Sequence, residues 1–297
     1  MTTCPQRCPI DGIDAAVRAA RRQGVLPADV EVHPHVLHAG ANAVLHLDPA
    51  PVVARVAHWT AAVRARPGAH LGLEVDLARR AASAGAAVVE PLPGEAAGPH
   101  DEPEGVLTMW PLLTDLRSCH DGAAAGESLA LLHIAMAGYQ GWMPGPENIA
   151  ADSHRAVMLL ARLGVMETAE AVEIGELNRA ALDEMRTVTA GLGSRPGALV
   201  PLHGDPHGAN LLDRSGRATW WDLDDAWRGP VEWDLTVMGR SDRIDGGRAV
   251  QAYCAATGFV PDPNVMEVAG RLRVAQGRAW GALYAYGRSL TGPEQAR

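Results

Sequence analysis

The segment His203-Gly204-Asp205-Pro206-His207-Gly208-Ala209-Asn210, followed twelve residues on by Asp222-Leu223-Asp224, holds residue types from which a reaction centre can be built. Asp205 is a candidate proton acceptor, five residues before the amide oxygen of Asn210 and upstream of two further carboxylates. Hard oxygen donors of this kind suit magnesium, which keeps several waters and needs few protein ligands beside the phosphates of a nucleotide. A carboxylate next to such a set can accept or orient the proton of an attacking hydroxyl, help typically worth ~10²–10⁴-fold in rate. Together these are the parts required for phosphoryl transfer, where positioning and charge neutralisation count for more than covalent chemistry.

The neighbouring residues indicate how these groups are held. Asp205 lies between Gly204 and Pro206, in a turn that cannot continue a helix. Leu211-Leu212 reads as a strand, Asp213-Arg214-Ser215-Gly216 as a turn and Ala218 to Trp221 as a returning strand, a hairpin that lays Asp222 near Asn210. Along extended chain Asp222 and Asp224 point one way while Trp221 and Leu223 point the other. Two carboxylates on one side call for a cation between them; the alternative is a solvated acidic loop. His203 is expected to support the loop by hydrogen bonding, and His207 either steadies the turn or approaches substrate.

The first third of the chain is strand-rich and is expected to hold the nucleotide. Residues 11–24 read as a short helix closed by Gly24, with Ile13, Ala16, Val17 and Ala20 on one face. Val36-Leu37, Ala43 to Leu47 and Val52 to Val56 read as strands, joined by a tip at 38–42 and a turn at 48–51. Residues 70–84 form a helix, Val88-Val89 and Val106 to Met109 two further strands, and 91–105 a solvated hairpin loop. Arg55 interrupts an apolar strand, and Glu74 shares the apolar helix face with Leu71 and Val75 while Asp76 points away. An inward glutamate is costly unless paired, which predicts an Arg55–Glu74 ion pair turning the guanidinium towards the α- and β-phosphates. The alternative places Arg55 on an edge strand in water. The tip around Gly40 and Asn42 could offer backbone N–H groups to phosphate. After Trp110-Pro111 the chain turns mainly helical, over 122–138, 151–164 and 166–191 and again beyond 225. This predicts an α+β, two-lobed architecture with domains at 1–109 and 110–297.

Composition narrows the function classes. The 297-residue chain has a formal net charge of −9, which argues against a nucleic-acid partner. All 26 basic residues are arginine, so any protein cation that grips phosphate must be one. Cys4 and Cys8 have no matching pair downstream, so a zinc site is not expected. Scattered thiols, no signal-like apolar segment at Met1 to Ile10 and no long apolar run lead us to expect a cytoplasmic protein without a membrane span.

These motifs resemble the aminoglycoside phosphotransferase and choline kinase-like family, whose fold is protein-kinase-like, with a small antiparallel-sheet lobe bearing a helix and a larger, mainly helical lobe. The resemblance takes in the tip, Arg55, Glu74, Leu131-Leu132-His133, the 203–210 loop, Asp222, Gly229-Pro230 and Trp233-Asp234-Leu235. The family's loop usually reads His-Gly-Asp-x-His-Pro-Gly-Asn; here Gly208-Ala209 stand in place of Pro-Gly, and Arg55 stands where lysine is common. The resemblance implies that Asp205 is the catalytic base and that Asn210 and Asp222 bind magnesium, with Asp224 beside them. It further implies that the 106–112 segment, including Met109, gives the adenine of ATP, or the base of GTP, its backbone contacts. Asp234 would brace the loop, and His133 would pack under it.

The implied reaction moves a γ-phosphoryl group from ATP or GTP to a hydroxyl of a small molecule. Trp142, Met143, Glu147, Asp152, Asp225, Glu232, Asp242 and Asp245 are candidate acceptor-side residues, and their acids suit an aminated acceptor such as an aminoglycoside antibiotic, an amino sugar or an amino alcohol. The arginine-rich last helix, with Arg271, Arg273 and Arg278, pulls towards an acceptor bearing a carboxylate or phosphate. Antibiotic resistance and ordinary metabolism, including other metabolites and macrolides, stay open, as does a non-catalytic nucleotide-binding regulator. A protein kinase is disfavoured, because Asp-Phe-Gly is absent at 222–224 and too little chain separates Asp222 from Asp234 for a long activation segment.

Overall fold

A computed structural model describes residues 11–193 and 198–291; Cys4 and Cys8 lie outside them. In chain order the elements begin with α1 (Asp11–Arg22), β1 (His33–Ala39), β2 (Asn42–Asp48), β3 (Val52–Ala57), α2 (Trp59–Val63), α3 (Pro67–Ser83), β4 (His100–Glu102) and β5 (Gly105–Pro111). They continue with β6 (Arg117–Ser118), α4 (Gly122–Met136), α5 (Pro146–Arg162), α6 (Thr168–Gly193), β7 (Val200–Pro201), β8 (Leu211–Arg214) and β9 (Arg217–Trp220). The last are β10 (Arg228–Gly229), α7 (Val231–Gly239), α8 (Gly246–Thr257) and α9 (Pro263–Thr291). None of the described helices is long and apolar enough to cross a membrane.

One compact unit comprises the described residues to Val75, Pro91–Leu112 and those from Gly281 onward. Its sheet is antiparallel throughout, in the order β1-β2-β3-β5-β4. Alternation along β2 and β3 turns Leu45, Leu47, Val52, Ala54 and Val56 towards α1, whose Ala15, Ala16, Ala19 and Ala20 let the helix lie close. Leu107 and Met109 of β5 complete this core. Because a slip of one residue would turn that whole set out of the core, the register is fixed, and it sets Arg55 between Val44 of β2 and Thr108 of β5. Arg55 therefore sits on an inner strand, not at an edge. On its face Ala57 packs with Leu71 of α3, and Glu74, one turn further along α3, meets the Arg55 guanidinium at 2.6 Å (Nη1 to Oε1).

Two readings of this region need correction. Val88-Val89 does not join the sheet: Val88 bridges Trp220, and Val89 N–H donates to the Trp220 carbonyl at 2.9 Å. The missing strand is β4, inside the stretch 91–105 read as loop; it pairs His100 with Leu107 and Glu102 with Gly105. Its polar sequence His-Asp-Glu carries no strand signal, and its pairing with β5 forms it.

The second unit comprises Asp76–Glu90 and Leu113–Trp280 and is mainly helical. Asp121 caps α4 by accepting from Ala123 N–H and Ala124 N–H. A Cβ on Gly126 of α4 would lie 2.0 Å from the Ala249 carbonyl oxygen of α8, so only glycine permits this approach of the two helices. Helix α5 starts at Pro146, earlier than its apolar pattern indicates, because proline suits the first helical position after Gly145. Trp227 and Trp233 meet edge to face with centroids 5.2 Å apart and share a core with Met185, Leu202, Ala269 and Leu272.

With side-chain exposures of 12% for Arg55 and 3% for Glu74, removal of either leaves the other's charge largely out of water. Arg55→Ala should therefore lower unfolding free energy by roughly 3–5 kcal/mol, measured by urea denaturation. A loss within error of an exposed surface substitution would contradict this.

Candidate active site

The loop from Leu202 to Asn210 is held from beneath by one carboxylate. Asp234, near the start of α7 and fully buried, accepts from His203 N–H at 2.8 Å (Oδ2) and from Gly204 N–H at 3.0 Å (Oδ1). Its Oδ2 also accepts from His133 Nε2 at 2.8 Å, and the other ring nitrogen of His133 lies 2.9 Å from the Tyr253 hydroxyl. Burial, then the charge of Asp234, raises the Tyr253 hydroxyl above its ordinary value, so it stays protonated and donates to His133 Nδ1. The close packing of α4 and α8 is what brings His133 and Tyr253 together. From α7, Trp233 Nε1 donates to the Gly204 carbonyl at 2.8 Å. Gly204 has φ +87°, and a Cβ there would stand 1.9 Å from the Asp225 carbonyl oxygen, so the bend requires glycine.

His203 is fully buried against Trp220, with ring centroids 5.2 Å apart. Its Nε2 donates to the Trp221 carbonyl at 3.1 Å, and its Nδ1 accepts from Asp205 N–H at 3.4 Å, an arrangement that needs the neutral ring. Burial lowers its tendency to protonate, against the pull of Asp234, Asp205 and Asp222. His207 Nδ1 accepts from Ala209 N–H, which leaves Nε2 to donate to Asp205 Oδ2 at 3.3 Å. The other oxygen of Asp205, Oδ1, accepts from Arg273 Nη2 of α9. Burial alone would push the Asp205 carboxyl up, but the Arg273 guanidinium and then His207 outweigh it and bring it down to about 2. At neutral pH Asp205 is ionised and fixed at both oxygens.

The hairpin of β8 and β9 brings the other oxygen donors up to this loop. Ser215 and Gly216 both have positive φ, 54° and 77°, the two-residue turn that matches strand twist. Leu211 pairs with Trp220, and Trp221 N–H donates to the Asn210 carbonyl at 3.2 Å, so the residue before Asp222 is tied to Asn210. The Asn210 side chain donates through Nδ2 to the Asp205 carbonyl at 3.0 Å, leaving Oδ1 unused by the loop. The expected extended run beyond Trp221 is not formed. Asp222 is left-handed (φ 65°, ψ 60°), and Leu223–Asp225 is a turn of 3-10 helix, so Asp222 and Asp224 are not on one strand face. Asp224 is buried and Asp222 half-buried. A left-handed aspartate costs of order 1–3 kcal/mol, and such strain gathers where function fixes the backbone.

Among the described residues no three His, Cys, Asp or Glu side chains are grouped to hold a metal. The donors present are one amide oxygen and one or two carboxylates. That set fits magnesium, whose other positions go to phosphates and water.

Arg55, Glu74, Gly40, Asn42 and Met109 lie in the first unit and the remaining candidates in the second. At the tip, Gly40 N–H donates to the Asn42 carbonyl at 3.1 Å, and the Asn42 side-chain oxygen accepts from Thr60 Oγ1. The Met109 side chain is buried in the sheet core, and its carbonyl accepts from Leu92 N–H at 3.4 Å. The partners of the loop that motif reading missed are Tyr253, Trp233 as a donor, and Ser241, whose Oγ accepts from Gly208 N–H at 3.1 Å. Nothing local to their sequences marks them.

Asp234→Ala would orphan two loop amides and the His133 ring at once. It should cost at least about 3 kcal/mol of stability by denaturant unfolding; a loss under about 1 kcal/mol would show the loop held by other contacts. The two loop histidines act in opposite pH windows. His207, raised by its bond to Asp205 against the effect of burial, contributes stability that is complete below the ordinary value of 6.5 and lost as pH rises through its own. His203 is depressed, so below 6.5 the unfolded chain takes up a proton that the folded chain refuses, and stability falls with acidification. His203→Gln should flatten the fall in unfolding free energy from pH 6.5 to 5. The slope should lessen by up to about 1.4 kcal/mol per pH unit; an unchanged slope would show that His203 titrates normally.

The phosphotransferase enzyme family matches residues 36–269 of this chain. No match is found among curated proteins. Among solved structures, a choline/ethanolamine kinase family protein from Mesorhizobium loti superposes with a TM-score of 0.57 at 17% identity, covering 97% of this chain and 91% of that one. An amicoumacin kinase, solved with AMP-PNP, Ca2+ and Ami, gives a TM-score of 0.61 at 13% identity, covering 93% and 94%. An aminoglycoside phosphotransferase from Streptomyces rimosus gives 0.58 at 14% identity, covering 89% and 98%. At these identities the likeness is one of fold, and it is the bilobal, kinase-like α+β fold. With the family match spanning well over half of its length, the chain belongs to the phosphotransferase enzyme family.

Proposed function

We propose that this protein is an ATP- or GTP-dependent kinase that phosphorylates a hydroxyl of a small molecule. The observation that carries the reading is that Asp234 fixes the loop bearing Asp205 and that the Asn210 side chain donates to the Asp205 carbonyl at 3.0 Å, with Asp222 two residues beyond the end of β9. The family membership and the AMP-PNP and Ca2+ bound by the amicoumacin kinase support a nucleotide donor with a divalent metal.

In this reading Asn210, Asp222 and Asp224 are the residues that would hold magnesium. Bound there, magnesium would neutralise charge on the donor's phosphates. Arg55, oriented by Glu74, meets the α- and β-phosphates. Asp205 receives the acceptor hydroxyl in hydrogen-bond reach. A carboxylate held near pKa 2 is a weak base, so Asp205 orients the hydroxyl first and takes its proton late, as a loose phosphoryl-transfer transition state allows. His203 and His133 support the loop and touch no reacting atom.

The acid-rich sequence favours, as one acceptor class, an aminated molecule such as an aminoglycoside, an amino sugar or an amino alcohol, with antibiotic resistance as one biological outcome. A screen of aminated antibiotics, choline-like alcohols and macrolides for ADP or GDP release tests the reaction. With a substrate in hand, Asp205→Ala should lower kcat at least about 10²-fold while nucleotide affinity stays within about twofold. Asn210→Ala or Asp222→Ala should raise the magnesium requirement or abolish turnover. Near-normal turnover in the Asp205 variant, or normal metal dependence in the other two, would overturn these assignments.

A further inference from the structure

The acids offered by the sequence for gripping an ammonium group are largely engaged elsewhere. Glu147 bonds Arg186, Asp152 bonds Arg155, Glu232 accepts from Asp262 N–H, and Asp245 caps α8 through Arg248 N–H. The charge that reaches the candidate base is positive. Arg273 projects from α9 to Asp205 Oδ1, and its Nη1 is held at 2.8 Å by Oε1 of Gln276, a buried residue one turn along the same helix. A guanidinium has five N–H donors. Among the described residues these two contacts are the hydrogen bonds Arg273 makes, and its side chain is 24% exposed. Spare donors therefore reach water beside Asp205.

A second arginine flanks the same loop. Arg243 packs against Gly208, where a Cβ would stand 2.7 Å from that of Arg243. Its backbone bonds His120 and Ser241, and its guanidinium has no protein partner among the described residues. Arg273 balances Asp205, and Arg243 adds an exposed, positively charged residue on the flank of the loop.

We infer that Arg273 selects the acceptor by binding an oxyanion, a carboxylate or phosphate, that the acceptor carries close to its reacting hydroxyl. The inference rests on the kinase reading above and narrows its substrate class; an amine elsewhere in the acceptor is compatible with it. The spacing follows from the bonds. A hydroxyl on Asp205 and an oxyanion on the guanidinium that touches Asp205 stand about 5 Å apart, which suits an anion three to five bonds from the hydroxyl. Planar, bidentate recognition of carboxylate or phosphate is the chemistry for which a guanidinium is suited, and lysine reproduces only its charge.

The test uses matched acceptors with the 297-residue chain, magnesium and ATP or GTP. One arm holds hydroxycarboxylates of graded length (glycolate, 3-hydroxypropionate, 4-hydroxybutyrate, 6-hydroxyhexanoate) and homoserine, a second glycerol phosphate, a third the neutral counterparts 4-hydroxybutyramide and glycerol, and a fourth choline, ethanolamine and kanamycin. ADP or GDP release gives kcat and KM for wild type, Arg273→Gln and Arg273→Lys. We expect an anionic arm to react best, with the carboxylate and phosphate arms telling the two oxyanions apart. Arg273→Gln should raise KM for the anionic acceptor at least tenfold more than for its neutral counterpart, with Arg273→Lys restoring part of the difference. A loss of equal size on both, in a variant that still binds nucleotide, reduces Arg273 to a support of Asp205 and overturns the inference. Turnover of only the neutral or cationic arms overturns it too, while the kinase reading stands. No turnover of any compound here or in the antibiotic and choline screen overturns both.

Discussion

A carboxylate buried without exposed surface is tolerable only when donors surround it, and Asp234 has three of them. Two are backbone amides of the loop and one is a histidine from another helix. The bonds fix the start of the loop in one conformation, with Gly204 forced into a bend that a side chain would obstruct. The placement of Asp205 follows from that bend, and the carbonyl of Asp205 in turn orients Asn210. A single buried charge thereby sets the geometry of the candidate base and of one candidate metal ligand. Its own surroundings, the His133–Tyr253 pair and the Trp233 indole, rest on a core of tryptophan and close-packed helices.

The first unit applies the same constraint to a cation. The apolar alternation of β2 and β3 fixes the register, the register puts Arg55 on an inner strand, and α3 brings Glu74 to meet it. In both units the apolar packing decides where a charge goes, and the partner of that charge decides which way it points. That order of causes explains why a chain with no lysine can keep a family architecture in which lysine is common at the strand position: the buried glutamate needs a cation, and arginine supplies it.

Much of this was legible from local pattern. Arg55 and Glu74 stood out because each interrupts an apolar face, and the 211–220 hairpin was readable from its Ser-Gly turn. What escaped depends on pairing across long sequence separations. The strand β4 has no propensity of its own and forms because β5 offers it an edge. The turn at Asp222 departs from extended chain because its backbone is left-handed, a conformation open to several residue types and unmarked by any glycine. Tyr253 and Arg273 meet the site from helices that begin well after the loop, so no spacing could announce them. The acids that favoured an amine-binding site were visible as charges, but their internal partners were not.

The central claim is that the loop and hairpin gather Asp205, Asn210 and Asp222 around one phosphate-bound cation. Anomalous diffraction from crystals grown with Mn2+ and a non-hydrolysable ATP analogue addresses it most directly. The account predicts one metal peak, on the order of 2.1–2.3 Å from Asn210 Oδ1 and an Asp222 oxygen, with the terminal phosphate turned towards Asp205. A peak bound by other residues, or a triphosphate lying away from this loop, would contradict it.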